Sequence, residues 1–281
     1  YTKEKAQYWV AWHEHVKCFV PDKNIYDVRW IQDGYLPSNY SDYTYHFKPN
    51  NATYDVWDYN GSLLFKNKNL PYDILPFRKK LYLPIPEYKE KLTTILVATS
   101  ATGDWTAMKN RSDDDLLVIA FATIAKKFPS IKIIYRCHPD WILPNTVGVN
   151  SINRVKEYLN YLNLNNFVLS SNIPNAKQKN GYIQSFSRSS LDEDLKQADL
   201  VFGEHSISMI DAGFKKIPFC SVNLTKRRNL FESITQYGFP HCNSVEDIIN
   251  VISSYELPDF KEKYNAAIKE YNNMIDIETI Y

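Results

Sequence analysis

From residue 94 onward the chain repeats one pattern: a short apolar run, a polar loop, then a stretch whose apolar residues recur at helical spacing. Residues 94–99, 131–136, 167–169, 200–202 and 217–222 read as strands. Brief apolar, β-branched runs of this kind belong to parallel strands buried on both faces. Helices fall between and after them. Ser112, followed by Asp113, Asp114 and Asp115, starts the first: a serine suits the N-cap and acids suit the positive helix end. Leu116, Leu117, Ala120, Phe121 and Ile124 follow at helical spacing, and Pro129 ends the segment. Residues 153–162, 191–197, 206–214, 245–254 and 261–274 read as further helices. The alternation predicts an α/β fold with a parallel sheet, whose ligands bind outside the carboxyl ends of the strands.

The first part of the chain has another texture. It is rich in Tyr, Asn, Asp and Pro, with strand-like pieces at 16–20, 25–31 and 53–58. Residues 81–87 carry two prolines among apolar residues and read as an extended linker. Two domains are expected, 1–90 and 91–281. The chain begins with Tyr1 rather than Met, which reads as a piece of a longer protein.

Composition removes several classes. Among 281 residues, 33 are basic and 32 acidic, a net charge of +1, with no basic stripe for nucleic acid. No apolar run reaches the roughly 18 residues of a membrane-spanning helix, and the polar start is no signal peptide. Cys18, Cys137, Cys220 and Cys242 are scattered without a C-x-x-C pair. A reduced, cytoplasmic protein without a zinc site is expected, with Cys137 and Cys220 acting as small hydrophobes. The 21 Tyr, 14 Phe and 6 Trp suit either a sugar-stacking surface or an aromatic core.

Four loops that follow strands hold the candidate site. After 94–99 come Ser100, Thr102, Gly103 and Asp104. Small residues admit a ligand close to the backbone, Gly103 frees the turn, and a following helix start suits an anion. Asp104 either faces the ligand or caps a local turn. After 131–136 comes His138-Pro139-Asp140, with Arg136 before it. His138 projects at the sheet edge or is a structural histidine, and Arg136 is suited to phosphate. After 200–202 come Glu204, His205, Ser206 and Ser208, suited to ribose or phosphate, although a lone serine such as Ser206 is more often only an N-cap. In the first part, Gln32-Asp33-Gly34-Tyr35 follows a strand; Asp-Gly is also a plain turn dipeptide. The polar stretch 172–186 is expected to be a loop over the site.

Taken in order, these loops resemble the retaining β-Kdo glycosyltransferases of bacterial capsule and lipopolysaccharide synthesis. That family shows Glu/Gln-Asp-Gly-aromatic, here Gln32 to Tyr35, and a strand followed by Gly-Asp, here Gly103-Asp104. It shows a basic residue, any residue, then His-Pro-Asp, here Arg136 to Asp140. It ends with a Ser-containing segment, an acid, Ala/Gly, a basic residue and Pro, here Ser206, Ser208, Asp211, Gly213, Lys216 and Pro218. The likeness spans about residues 30 to 222. Gln32 and Asp211 stand where Glu is usual.

The resemblance implies a GT-B fold: two Rossmann-like domains with parallel sheets facing a central cleft. It makes 1–90 the smaller, acceptor-side domain and 91–281 the CMP-sugar domain. It implies Kdo transfer from CMP-Kdo to an oligosaccharide or glycolipid acceptor, with no metal and no cofactor. Retention implies double displacement, with Asp104 as nucleophile and Asp33, beside Gln32, as acid/base. His138, Arg136 and Pro139 would meet the donor phosphate or sugar carboxylate. Ser100, Thr102 and Gly103 would line the donor site, and Glu204, His205, Ser206 and Ser208 would take the nucleoside phosphate. The expected location is the cytoplasm at the inner face of the inner membrane, held peripherally by partner domains. Alternatives are a sialyltransferase, a polymer glycerol-phosphotransferase, or a non-catalytic domain that binds glycan or nucleotide.

Overall fold

The structure is a computed structural model that describes residues 28–31, 52–56, 72–74, 82–99, 111–138, 149–171, 186–204, 206, 208–225 and 232–278. The chain divides into two compact units. One comprises residues 1–82, 230–233 and 272–281, and the other residues 83–229 and 234–271.

The first unit carries a parallel three-stranded sheet of β1 (Val28–Ile31), β2 (Ala52–Val56) and β3 (Tyr72–Ile74), in that order. Val28 lies opposite Ala52, and Tyr54 opposite Tyr72. β1 lies within the expected run 25–31, and β2 overlaps the expected run 53–58. β3 was not expected, because three residues give too little alternation to read.

The rest of the chain runs β4 (Thr94–Ala98), α1 (Arg111–Lys127), β5 (Lys132–Arg136), α2 (Val149–Leu162), β6 (Phe167–Ser171), β7 (Phe186–Arg188) and α3 (Leu191–Gln197). It continues with β8 (Leu200–Gly203), α4 (Ser208–Phe214), β9 (Phe219–Val222), α5 (Glu232–Thr235), β10 (His241–Cys242), α6 (Val245–Ser254) and α7 (Pro258–Glu278). The seven strands form one sheet in the order β10-β9-β8-β4-β5-β6-β7, every pair parallel. The chain enters at β4, moves outward to β7, then returns to the other side of β4 as β8. The order therefore reverses between β4 and β8, and such a reversal opens a crevice at the carboxyl ends.

Burial explains the apolar runs. Ile95, Leu96 and Val97 of β4 and Leu200, Val201 and Phe202 of β8 are fully buried. On α1, Leu117, Ala120, Phe121 and Ile124 pack inward, whereas Leu116 and Ile119 are exposed. The helical stripe is thus rotated away from Leu116. Cys137, Cys220 and Cys242 are buried thiols, as small hydrophobes would be. The aromatics of the C-terminal part form a core: Tyr88, Phe219, Phe239, Tyr255, Phe260, Tyr264 and Tyr271 meet mostly edge to face. The Phe219 N–H donates to the buried Tyr264 hydroxyl at 2.8 Å, so that ring's polar tip is satisfied.

At the amino ends of the strands, buried polar groups are tied to backbone. Asp199, just before β8, accepts from the N–H of Thr93 (2.8 Å), the Thr93 hydroxyl (2.7 Å) and the N–H of Thr94 (2.9 Å). Lys89 Nζ lies 2.5 Å from its other oxygen. Burial pushes the carboxyl pKa up, but the bonds from Lys89, Thr93 and Thr94 outweigh it and hold it below the usual value. The Asn166 amide donates to the carbonyls of Ala125, Phe128 and Ile131, closing the α1–β5 connection.

No helix or strand occurs from Tyr82 to Thr93, in keeping with an extended segment. The Glu87 N–H donates to the Lys216 carbonyl at 2.9 Å, and Lys216 Nζ reaches the Glu87 carboxylate at 2.5 Å. Lys216 sits at φ +62 in the turn after α4, the left-handed residue that commonly stops a helix.

Candidate functional site at the carboxyl edge

The register of the sheet brings three loops together. Ala98, the last residue of β4, lies opposite Arg136 of β5 on one side and Gly203 of β8 on the other. The strands therefore end flush, and Thr99, Cys137 and Glu204 follow in one row. Three loops marked by sequence thus leave from neighbouring points at the reversal of strand order.

Thr99 builds the β5 side. It is buried, its hydroxyl donates to the Arg136 carbonyl at 2.9 Å, and the same oxygen accepts the His138 N–H at 2.8 Å. Its own N–H donates to the Arg136 carbonyl at 3.2 Å. A side chain thus continues the β4–β5 pairing one step past the ladder and fixes the backbone at half-buried His138.

Close packing builds the β8 side. A Cβ at Gly203 would lie 2.9 Å from Met209 Sδ and 3.0 Å from the Ala98 carbonyl oxygen. Any larger residue would push α4 or β4 away. Half-buried Glu204 comes next. Ser206 caps the turn into α4, with its hydroxyl accepting the Ser208 N–H at 3.3 Å and its carbonyl accepting the Met209 N–H at 3.1 Å. Asp211 lies in the first turn of α4. Burial raises its carboxyl pKa, and Lys215 offsets this only in part.

Arg136 is held from outside the crevice. Its Nη1 donates to Asp194 Oδ2 of α3 at 2.6 Å and to the Ser189 carbonyl at 3.0 Å, with the Ser170 hydroxyl of β6 at 3.4 Å. The Ser170 hydroxyl in turn donates to Asp194 Oδ2 at 2.5 Å. Asp194 is buried, on a helix started by the Ser190–Glu193 capping box. Further along the edge, the Ser221 hydroxyl and His241 Nδ1 are 2.8 Å apart on paired residues of β9 and β10. Burial lowers the His241 pKa, against the opposing pull of Asn243 and Asp247.

Of the residues expected from sequence, Arg136, His138, Glu204, Ser206 and Ser208 all lie on this one edge. Gln32, Asp33, Ser100, Thr102, Gly103, Asp104, Pro139 and His205 lie outside the described residues. Thr99, Ser170 and Asp194 were missed. Asp194 follows Asp192 and Glu193, exposed acids of the same turn, and Thr99 reads only as a strand end. Among the described residues no group of three or more His, Cys, Asp or Glu is placed to hold a metal ion. None of the described helices is long and apolar enough to cross a membrane.

No family model matches the chain, and no curated protein matches it in sequence. Solved structures do. UDP-GlcNAc 2-epimerase from Neisseria meningitidis, bound to UDP-GlcNAc, superposes with a TM-score of 0.52 at 11% identity, over 99% of this chain and 80% of that one. TarM from S. aureus, in complex with fondaparinux, α-GlcNAc-glycerol and UDP, gives 0.45 at 12% identity, over 96% of this chain. The chain spans about half of TarM, 55% of its length. The likeness to the epimerase shows the fold: α/β, with Rossmann-like parallel sheets of the GT-B type.

Proposed function

We propose that this chain is a nucleotide-sugar-dependent glycosyltransferase. The observation that carries the reading is the meeting of β4, β5 and β8 at Ala98, which sends the Arg136–His138 and Glu204–Ser208 segments out from the reversal point of a GT-B-type sheet. Crevices at such points take nucleotides. The likeness to a structure whose bound molecule is UDP-GlcNAc supports a nucleotide sugar.

The finer reading rests on the ordered motifs. The donor is CMP-Kdo, the acceptor is a glycan or glycolipid, and configuration is retained. Asp104 attacks the anomeric carbon as CMP leaves, and water is excluded until the acceptor hydroxyl displaces the carboxylate. Asp33, with Gln32, serves proton transfer at that hydroxyl. Arg136 and His138, with Pro139 shaping their loop, meet the charge that grows on the leaving phosphate. Glu204, His205, Ser206 and Ser208 hold the ribose and phosphate, and Ser100, Thr102 and Gly103 let the donor approach the backbone. The chemistry needs no metal, because the leaving group is a single phosphate. The protein works at the inner face of the membrane through partner domains.

Intact-mass analysis after incubation with CMP-Kdo tests this. A covalent sugar adduct is expected on the wild type and none on Asp104→Asn. Wild-type transfer by that variant removes the nucleophile assignment. A second reading follows from the epimerase itself: a UDP-sugar enzyme that transfers nothing. Stereochemical conversion of UDP-GlcNAc seen by NMR, with CMP-Kdo untouched, selects it.

A further inference from the structure

The reading above uses Arg136 but leaves Asp194 without a part. Arg136 offers five N–H donors in a fixed fork. All of its side-chain hydrogen bonds among the described residues are made by one nitrogen, Nη1, to Asp194, Ser170 and the Ser189 carbonyl. Nε and Nη2 make none there, although the side chain is only 13% exposed. A guanidinium that served only as a buried strut would spread its donors over its partners. Here Asp194 grips one corner and is itself fixed by the Ser170 hydroxyl at 2.5 Å. The remaining pair, Nε and Nη2, has the planar spacing that matches two oxygens of a phosphate or carboxylate.

We infer that Asp194, set by Ser170, is a positioning residue that holds the Arg136 guanidinium by one corner and reserves its other edge for an oxyanion. This deepens the proposed function, since it gives the same site a preset receptor for the phosphate or carboxylate of its ligand. The anion class follows from the fork itself, independently of which base or sugar is attached. Asp194 touches no ligand; it acts through Arg136.

Titration of the full chain with CMP, UMP and inorganic phosphate, followed by isothermal calorimetry, tests it, with cytidine as the uncharged control and thermal unfolding run in parallel. The wild type is expected to bind at least one of the phosphates. Asp194→Asn and Arg136→Lys should each weaken that binding about tenfold or more, with cytidine affinity unchanged. Ser170→Ala, a milder change for the case in which Asp194→Asn does not fold, should weaken it a few fold in the same selective way. If the variants lower only the unfolding temperature and bind phosphates as the wild type does, the inference is overturned. So it is if the wild type binds no phosphate at all. Binding of UMP or inorganic phosphate in place of CMP supports the receptor while removing the CMP donor, so the two readings fail separately.

Discussion

The two ends of the seven-stranded sheet are built from similar residues and behave in opposite ways. At the amino ends, Asp199 Oδ2 takes three hydrogen bonds from Thr93 and Thr94, Lys89 lies against Oδ1, and the pKa is held low despite burial. At the carboxyl ends, Asp211 is half-buried without a hydrogen bond to its carboxylate among the described residues, and burial raises its pKa. Among the described residues, Arg136 at that end makes its side-chain hydrogen bonds through Nη1 alone. The same chemical groups are tied to backbone at one edge and carry fewer protein bonds at the other. On the proposed function, the amino edge serves stability alone, whereas the carboxyl edge serves both stability and ligand binding.

The largest effect should come from the amino edge. Asp199→Ala strands the Thr93 and Thr94 N–H groups and should cost about 2–4 kcal/mol in urea unfolding, leaving ligand affinity unchanged. An equal loss of affinity would erase the division between the edges. Gly203→Ala forces a Cβ against Met209 and the Ala98 carbonyl, and overpacking there should cost about 1–3 kcal/mol and weaken ligand binding as well. Thr99→Val removes the acceptor for the His138 N–H and should cost about 1–2 kcal/mol. Thr99→Ser keeps the hydroxyl and should restore most ligand affinity, which a purely structural loss of a methyl group would not.

The smallest effect is one of sign. A carboxyl whose pKa is lowered on folding lends stability above its unfolded value, lost as pH falls through the folded one. Asp199 should therefore contribute to acid unfolding below about pH 4. A raised pKa does the reverse: Asp211 favours the fold below about pH 4 and loses that contribution as pH rises through its folded value. Asp211→Asn should thus raise the unfolding free energy at pH 7 slightly, by less than about 1 kcal/mol, and flatten its dependence on pH. A destabilised Asp211→Asn protein would show that the carboxylate has a structural partner.

The sheet centre was legible because β4, β5, β8 and β9 each carry a run of buried, mostly apolar residues that fills most of the strand. The short strands were not. β7 closes a polar stretch read as loop, and β10 has only His241 and Cys242. Such edge strands are set by neighbours they pair with, and two or three residues hold no period. Of the candidate residues, His138 stood out because it follows a strand, and Arg136 because it ends one. Asp194 could not: its neighbours Asp192 and Glu193 are solvent-exposed acids of the same turn, and only tertiary packing turns the third one inward. Loop chemistry was visible in one dimension, whereas the support beneath it exists only in three.

The pairing of β4 with β8 has a further consequence, in time rather than space. Ile95 lies opposite Leu200, so the central pair of the sheet joins residues about a hundred positions apart. During synthesis, β4, β5 and β6 emerge and pair with nearby partners, while one edge of β4 waits for a strand that has not yet left the ribosome. That edge is a bare hydrophobic template in the nascent chain, and high sequence separation makes its closure slow. The candidate site at the carboxyl ends needs that pairing, so a truncated chain that stops before β8 should lose ligand binding and be prone to associate with itself.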